Sequence, residues 1–156
     1  MLPPDLQNQN SLQGDATMRI RRYEDVQIGE KATFRKTITE ADVWAFGAIS
    51  GDFNPVHMDE SFAKGTMFKT RIAHGMLTAA LLDSTLTGIM GQGGIHITQE
   101  VKFLLPVKIS DSVEVVSEVV EKVEAKNRLV IKTTITNQEG KVVLEGKAVT
   151  MMPRSK

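Results

Sequence analysis

Cysteine is absent from the 156-residue chain. Disulfides, thiol nucleophiles and thiolate metal sites are therefore excluded, nothing points to an oxidising compartment, and a cytoplasmic location is expected. An excess of either charge is missing too. The chain has 19 Lys and Arg against 19 Asp and Glu, a balance that gives no general support for binding nucleic acid or an anionic membrane. No run approaches the ~20 apolar residues of a membrane-spanning helix. The first fifteen residues, Met1 to Asp15, lack the basic start and apolar stretch of a secretory signal. They are polar and turn-rich, and residues 1–18 read as a flexible arm. Histidine is scarce: only His57, His74 and His96 occur. Acid–base chemistry near neutral pH therefore has a short candidate list.

What is present fits one soluble globular domain over residues 19–153, with 41% hydrophobic and 24% charged residues. A strand is expected over Lys31 to Ile38. Thr39 reads as a helix N-cap, with Glu40 and Asp42 in the first turn, where the positive helix end favours acids. Val43, Phe46 and Ile49 recur at helical spacing. Ser50-Gly51-Asp52 should end that helix, and Asn54-Pro55 forces an extended or turn conformation. Asp59 to Lys64 predicts a short helix stopped at Gly65. A second helix is expected from His74 or Gly75 to about Thr87, stopped by Gly88. Its first half is apolar around most of its circumference, so it should be buried on several sides.

Strands follow. Ile95, Ile97, Val101, Phe103 and Leu105 alternate with His96, Thr98, Glu100 and Lys102, up to Pro106. Val113, Val115, Val119 and Val123 mark the next strand, Leu129, Ile131, Thr133 and Ile135 a third, and Val142 to about Met151 a fourth. Turns at 125–128 and 138–141 are too tight to join parallel neighbours. The predicted class is α+β: an antiparallel sheet wrapped around a central buried helix, the arrangement called a hot-dog fold. An exposed edge strand invites pairing between subunits, so a homodimer with a continuous sheet is expected.

Asp52 and His57 lie five positions apart in a loop stiffened by Pro55. A carboxylate and an imidazole held close together can position one water, take a proton from it and deliver one elsewhere, which typically accelerates a reaction roughly 10²–10⁴-fold. Asn54 would either fix the loop through side-chain-to-backbone bonds or bind substrate. The same composition also makes an ordinary turn, in which Asp52 caps and His57 packs. Gly75, at the head of the buried helix, would aim a backbone N–H outward at a developing oxyanion, or would simply permit close packing. His74 is expected to cap or pack, and His96 to face solvent or an interface. No histidine pair has helical metal-ligand spacing, so no metal site is expected. Gly91-Gln92-Gly93-Gly94 resembles a flexible turn. Lys64, Lys69 and Arg71 would either meet the phosphates of a carrier or belong to a solvated loop.

The run Ser50-Gly51-Asp52-Phe53-Asn54-Pro55-Val56-His57-Met58-Asp59, followed by Ile72-Ala73-His74-Gly75-Met76-Leu77, resembles the MaoC-like dehydratases. Within them it is most similar to the (R)-specific enoyl-CoA hydratases, and the likeness extends from about Gly29 to Met151. The resemblance implies a hot-dog dimer with Asp52 and His57 as the acid–base pair, Gly75 as oxyanion donor and Asn54 positioning the site. The implied reaction is reversible syn addition of water to a trans-2-enoyl thioester carried on coenzyme A or acyl carrier protein, with no metal or redox cofactor. One departure stands out. Some close relatives carry a serine in the central helix where this chain has Asp83. Hot-dog proteins also include acyl-CoA thioesterases, and a non-catalytic acyl-thioester-binding domain is a third reading. The Asp-x-Asn-Pro-x-His loop favours hydration over both.

Overall fold

A computed structural model describes residues 20–155; the arm expected over residues 1–18 lies outside them. Strand β1 (Lys31–Thr37) leads into helix α1 (Glu40–Ser50) through a local capping device. The Thr39 hydroxyl accepts from the Asp42 amide at 3.2 Å, and the Asp42 carboxylate accepts from the Thr39 amide at 2.8 Å. This reciprocal box satisfies two of the amides that a helix start leaves open. Burial opposes the charge on Asp42, but its hydrogen bonds from Thr39 and the Lys36 ammonium at 2.9 Å outweigh that and hold the carboxyl below its ordinary pKa. Gly51 closes α1 with φ of +77°, a left-handed conformation that costs glycine little. The apolar spacing predicted for α1 holds in part. Val43 is buried and Phe46 half-buried, but Ile49 is exposed, because the end of α1 stands clear of the core.

Two short helices follow, α2 (Pro55–Met58) and α3 (Glu60–Lys64). Pro55 occupies the first turn of α2, where its missing N–H costs nothing. Asp59 ends α2 and caps α3, its Oδ1 accepting from the amides of Ser61 and Phe62 at 2.8 and 3.1 Å. The central helix comes next, as α4 (Gly75–Ala80) and α5 (Leu82–Met90), joined through Leu81, whose backbone stays in the right-handed helical region. Leu77, Ala79, Leu82, Leu86, Ile89 and Met90 are all buried along it. Complete burial of each large aliphatic side chain contributes about 1.5–3 kcal/mol. The expected stop at Gly88 is wrong: the helix runs on to Met90 and ends at Gly91. Gly88 is there for contact, since a Cβ on it would lie 3.2 Å from the Cβ of Ala32 on β1.

The remaining strands are β2 (Ile95–Phe103), β3 (Ser112–Val123), β4 (Arg128–Asn137) and β5 (Val142–Met151). These five strands pair antiparallel, in the order β1-β3-β4-β5-β2, and α5 packs chiefly against β1 and β3. This is the α+β hot-dog arrangement. The inner face carries Val113, Val115, Val119, Leu129, Ile131, Ile135, Leu144 and Ala148. The outer face carries cross-strand ion pairs such as Arg35–Glu114 at 2.7 Å and Lys31–Glu118 at 3.3 Å. The apolar core is two clusters. Between them Thr85 of α5 meets Ser117 of β3 through a buried hydroxyl pair at 2.7 Å.

Strand β2 departs from its predicted alternation. A bulge between His96 and Thr98 shifts the register, so His96 lies opposite Thr150 while Gln99, Val101 and Phe103 lie opposite Ala148, Gly146 and Leu144. His96 thereby turns toward the helix and meets Asp83, with Nδ1 to Oδ1 at 3.3 Å. Ile95, Ile97, Phe103, Leu104 and Leu105 are exposed along or just beyond this edge strand.

Candidate active site

The loop after α1 is built by its own side chains. The Ser50 hydroxyl accepts from the Asp52 amide at 3.2 Å, and Asp52 Oδ1 accepts from the Asn54 amide at 3.1 Å. Asn54 Oδ1 in turn accepts from the Val56 amide at 3.2 Å, which caps α2. These short Asx bonds fix where Asp52 and His57 point. Asn54 thus bonds within its own loop.

His57 is buried, at 8% exposure. Its Nδ1 lies 2.8 Å from the Ile72 carbonyl. A carbonyl can only accept, so Nδ1 donates, which leaves Nε2 for other partners. That Nε2 faces Asp52 Oδ2 at 3.9 Å. The gap is too long for a direct hydrogen bond, yet one water can sit about 2.8 Å from both atoms, with an angle at the water of roughly 90°. The segment holding the Ile72 carbonyl is itself anchored: the Ile72 amide donates to Val56 O at 3.3 Å and the Ala73 amide to Val107 O at 2.8 Å.

His74 joins the site as a support. Its ring lies against His57 with centroids 3.9 Å apart, and meets Phe46 at a tilt with centroids 5.0 Å apart. Nε2 lies 2.9 Å from the Asp52 backbone carbonyl, while the buried Nδ1 has no partner. His74 thus ties the head of α4 to the Asp52 loop, and it is also the N-cap residue of that helix. Among the described residues, Asp52, His57 and His74 form one group whose ligand-type atoms all lie within 4.8 Å of one another. They converge from 22 positions of sequence, without the spacing by which a metal site is read.

Gly75 opens α4, where leading amides lack intrahelical acceptors. It is exposed and borders two clefts. One, of about 590 Å³, includes Asp52, His74, Phe46 and Phe103. The other, of about 340 Å³, is walled by apolar groups including Met67, Phe68, Ile72, Leu105 and Val143. A Cβ on Gly75 would lie 3.0 Å from the Phe103 ring, so any larger residue here would make the ring give way by a few tenths of an ångström.

The fold has known counterparts. A family model, the MaoC like domain, matches residues 25–141. The chain belongs to the MaoC-like family. An (R)-specific enoyl-CoA hydratase of Rhodospirillum rubrum is 43% identical over 132 residues, covering 84% of this chain and 91% of that protein. A 3-hydroxybutyryl-CoA dehydratase of Methylorubrum extorquens is 39% identical over 138 residues, covering 88% and 87%. Among solved structures, the unliganded R-hydratase of Pseudomonas aeruginosa superposes with a TM-score of 0.80 at 42% identity, covering 86% of each chain.

Within this MaoC-like frame the other sequence candidates separate. Arg71 is occupied by Glu40 at 2.9 Å and Glu60 at 3.7 Å, while Lys64 and Lys69 are exposed. His96 and Asp83 pair with each other, away from the Asp52–His57 pair. His74 caps and packs as the sequence suggested, whereas Phe46 and Phe103 carried no site role in the sequence reading. The contacts that matter for them are long-range in sequence and leave no local signal. No helix among the described residues is long and apolar enough to cross a membrane.

Proposed function

We propose that this protein is an (R)-specific enoyl thioester hydratase, acting reversibly as a 3-hydroxyacyl thioester dehydratase. The observation that carries the reading is the facing of Asp52 Oδ2 and His57 Nε2 at 3.9 Å beside the helix head at Gly75. The thioester carbonyl accepts from the Gly75 amide, which stabilises negative charge as it develops on the oxygen. The water held between Asp52 and His57 gives its hydroxyl to the β-carbon and one proton to the pair. The pair returns one proton to the α-carbon on the same face. Water is consumed, the C=C bond becomes a C–C bond, and the two catalytic groups end as they began. The apolar cleft beyond Gly75 takes an aliphatic segment of the substrate. The carrier is coenzyme A or acyl carrier protein.

The purified protein should hydrate crotonyl-CoA or a longer enoyl-CoA, followed as loss of the conjugated enoyl absorbance, and yield the (R)-3-hydroxyacyl product. Release of free thiol at the rate of substrate loss would replace this reading with thioester hydrolysis.

The subunit reading is a homodimer paired along β2. Its free edge and the exposed Ile95, Ile97, Leu104 and Leu105 form the kind of apolar edge that an isolated sheet protein avoids presenting. Light scattering on a size-exclusion column should give twice the 17.2 kDa chain mass. A single-chain mass would rule the pairing out.

A further inference from the structure

We infer that the Asp52, His57 and His74 cluster is also a binding site for a divalent transition-metal cation of the Zn²⁺ class, and that its occupation switches the enzyme off. The switching-off rests on the hydratase reading above; the metal site does not.

The donor set is two imidazoles and one carboxylate, with a ligand-type atom of each within 4.8 Å of the others. Tetrahedral Zn²⁺ holds nitrogen and oxygen ligands at about 2.0–2.2 Å, which places neighbouring donors roughly 3.4 Å apart. Asp52 Oδ2 and His57 Nε2 are already at 3.9 Å. The remaining contraction falls on Asp52, whose side chain is half exposed and can pivot about its Oδ1 bond to the Asn54 amide. His57 is anchored by its backbone partner. Its Nδ1–H on the Ile72 carbonyl is the backing that metal-bound histidines generally have, and it aims Nε2 at the carboxylate. His74 supplies the second, independent observation. It is 98% buried in the cluster, its ring lies against His57, and its Nδ1 finds no partner in the protein. A buried imidazole nitrogen left unpaired is costly and marks a place where a ligand fits.

Imidazole and carboxylate donors favour Zn²⁺, Cu²⁺ and Ni²⁺ over Mg²⁺. Three protein ligands leave a fourth position open toward the cleft that contains Asp52, His74 and Gly75. A bound cation takes Asp52 Oδ2 and His57 Nε2, the two atoms that hold the water in hydration, so metal and turnover exclude each other.

The test uses the full chain, stripped of metal with a chelator. Co²⁺ is added and followed by its visible absorption, which is intense for four-coordinate sites and needs no turnover. One Co²⁺ per chain, displaced by one Zn²⁺, is expected. Asp52→Asn, His57→Gln and His74→Asn should each weaken binding more than about tenfold, while His96→Gln should leave it unchanged. Zn²⁺ should abolish hydration in proportion to occupancy, and chelator should restore it. Absence of the tetrahedral Co²⁺ spectrum, or a spectrum lost only in His96→Gln, would overturn the site. If the spectrum appears but no hydration is found even without metal, the site stands and the hydratase reading falls.

Discussion

Asp52→Asn and His57→Ala should each lower kcat/KM for enoyl-CoA hydration by about 10²–10⁴-fold, the range lost when a positioned acid–base group is removed. The two substitutions differ in what else they disturb. Asn at position 52 keeps a side-chain oxygen for the Asn54 amide, so the loop geometry survives while the charge and basicity facing His57 disappear. Its thermal midpoint should match that of the parent. Ala at position 57 also removes the donor to the Ile72 carbonyl and leaves that oxygen unpaired, at a cost of about 1–3 kcal/mol. Its midpoint should fall, and activity must be compared below it. In the proposed mechanism both groups hold one water, so the double variant should be little worse than the poorer single one, as for residues that act as a unit. Full activity in either variant would sink the mechanism, and simple additivity would sink the shared water.

The parts of this site that were legible in the sequence are those built by neighbours in the chain. Thr39, Asp42, Gly51 and Pro55 act through bonds spanning two to four residues, and the Asp52–Asn54–Val56 relay does the same. Local chemistry of that kind is written in residue order. Three other features depended on partners far along the chain. Gly88 looked like a stop because glycine commonly follows a helix end. Its real constraint is Ala32, 56 positions earlier, so the helix passes through it. The bulge at Ile97 inserts one residue in β2 and turns His96 toward Asp83, which period-two counting cannot anticipate. His74 reads as a cap, and it is one, but its ring contact with His57 and its bond to the Asp52 carbonyl appear only when the helix head docks on the loop. The family likeness therefore carried information that the residue pattern alone lacked. It brought together two segments, 52–57 and 74–75, whose contact no local rule predicts.

Gly146→Ala should be the most damaging single substitution outside the acid–base pair. Gly146 sits in β5 between Thr133 of β4 and Val101 of β2. A Cβ placed there lies 2.0 Å from the Glu100 carbonyl oxygen and 3.2 Å from the Thr133 hydroxyl. The first of these is backbone, so no side-chain rotation relieves it. Strand β2 must move away from β5, giving up ladder hydrogen bonds, or β5 must twist. The cost should be about 3 kcal/mol or more, at the upper end of overpacking effects. For a domain of this size that lowers the thermal midpoint by roughly 6–12 °C. The loss should reach function as well, because β2 ends at Phe103, whose ring packs over Gly75 and walls both clefts. Displacing β2 moves that wall, so KM should rise in the fraction that remains folded, while the Asp52–His57 loop, fixed by its own side-chain bonds, keeps its geometry. An unchanged midpoint for Gly146→Ala would mean that β2 and β5 do not approach as described. A lowered midpoint with KM unchanged would mean that Phe103 is positioned by something other than its strand.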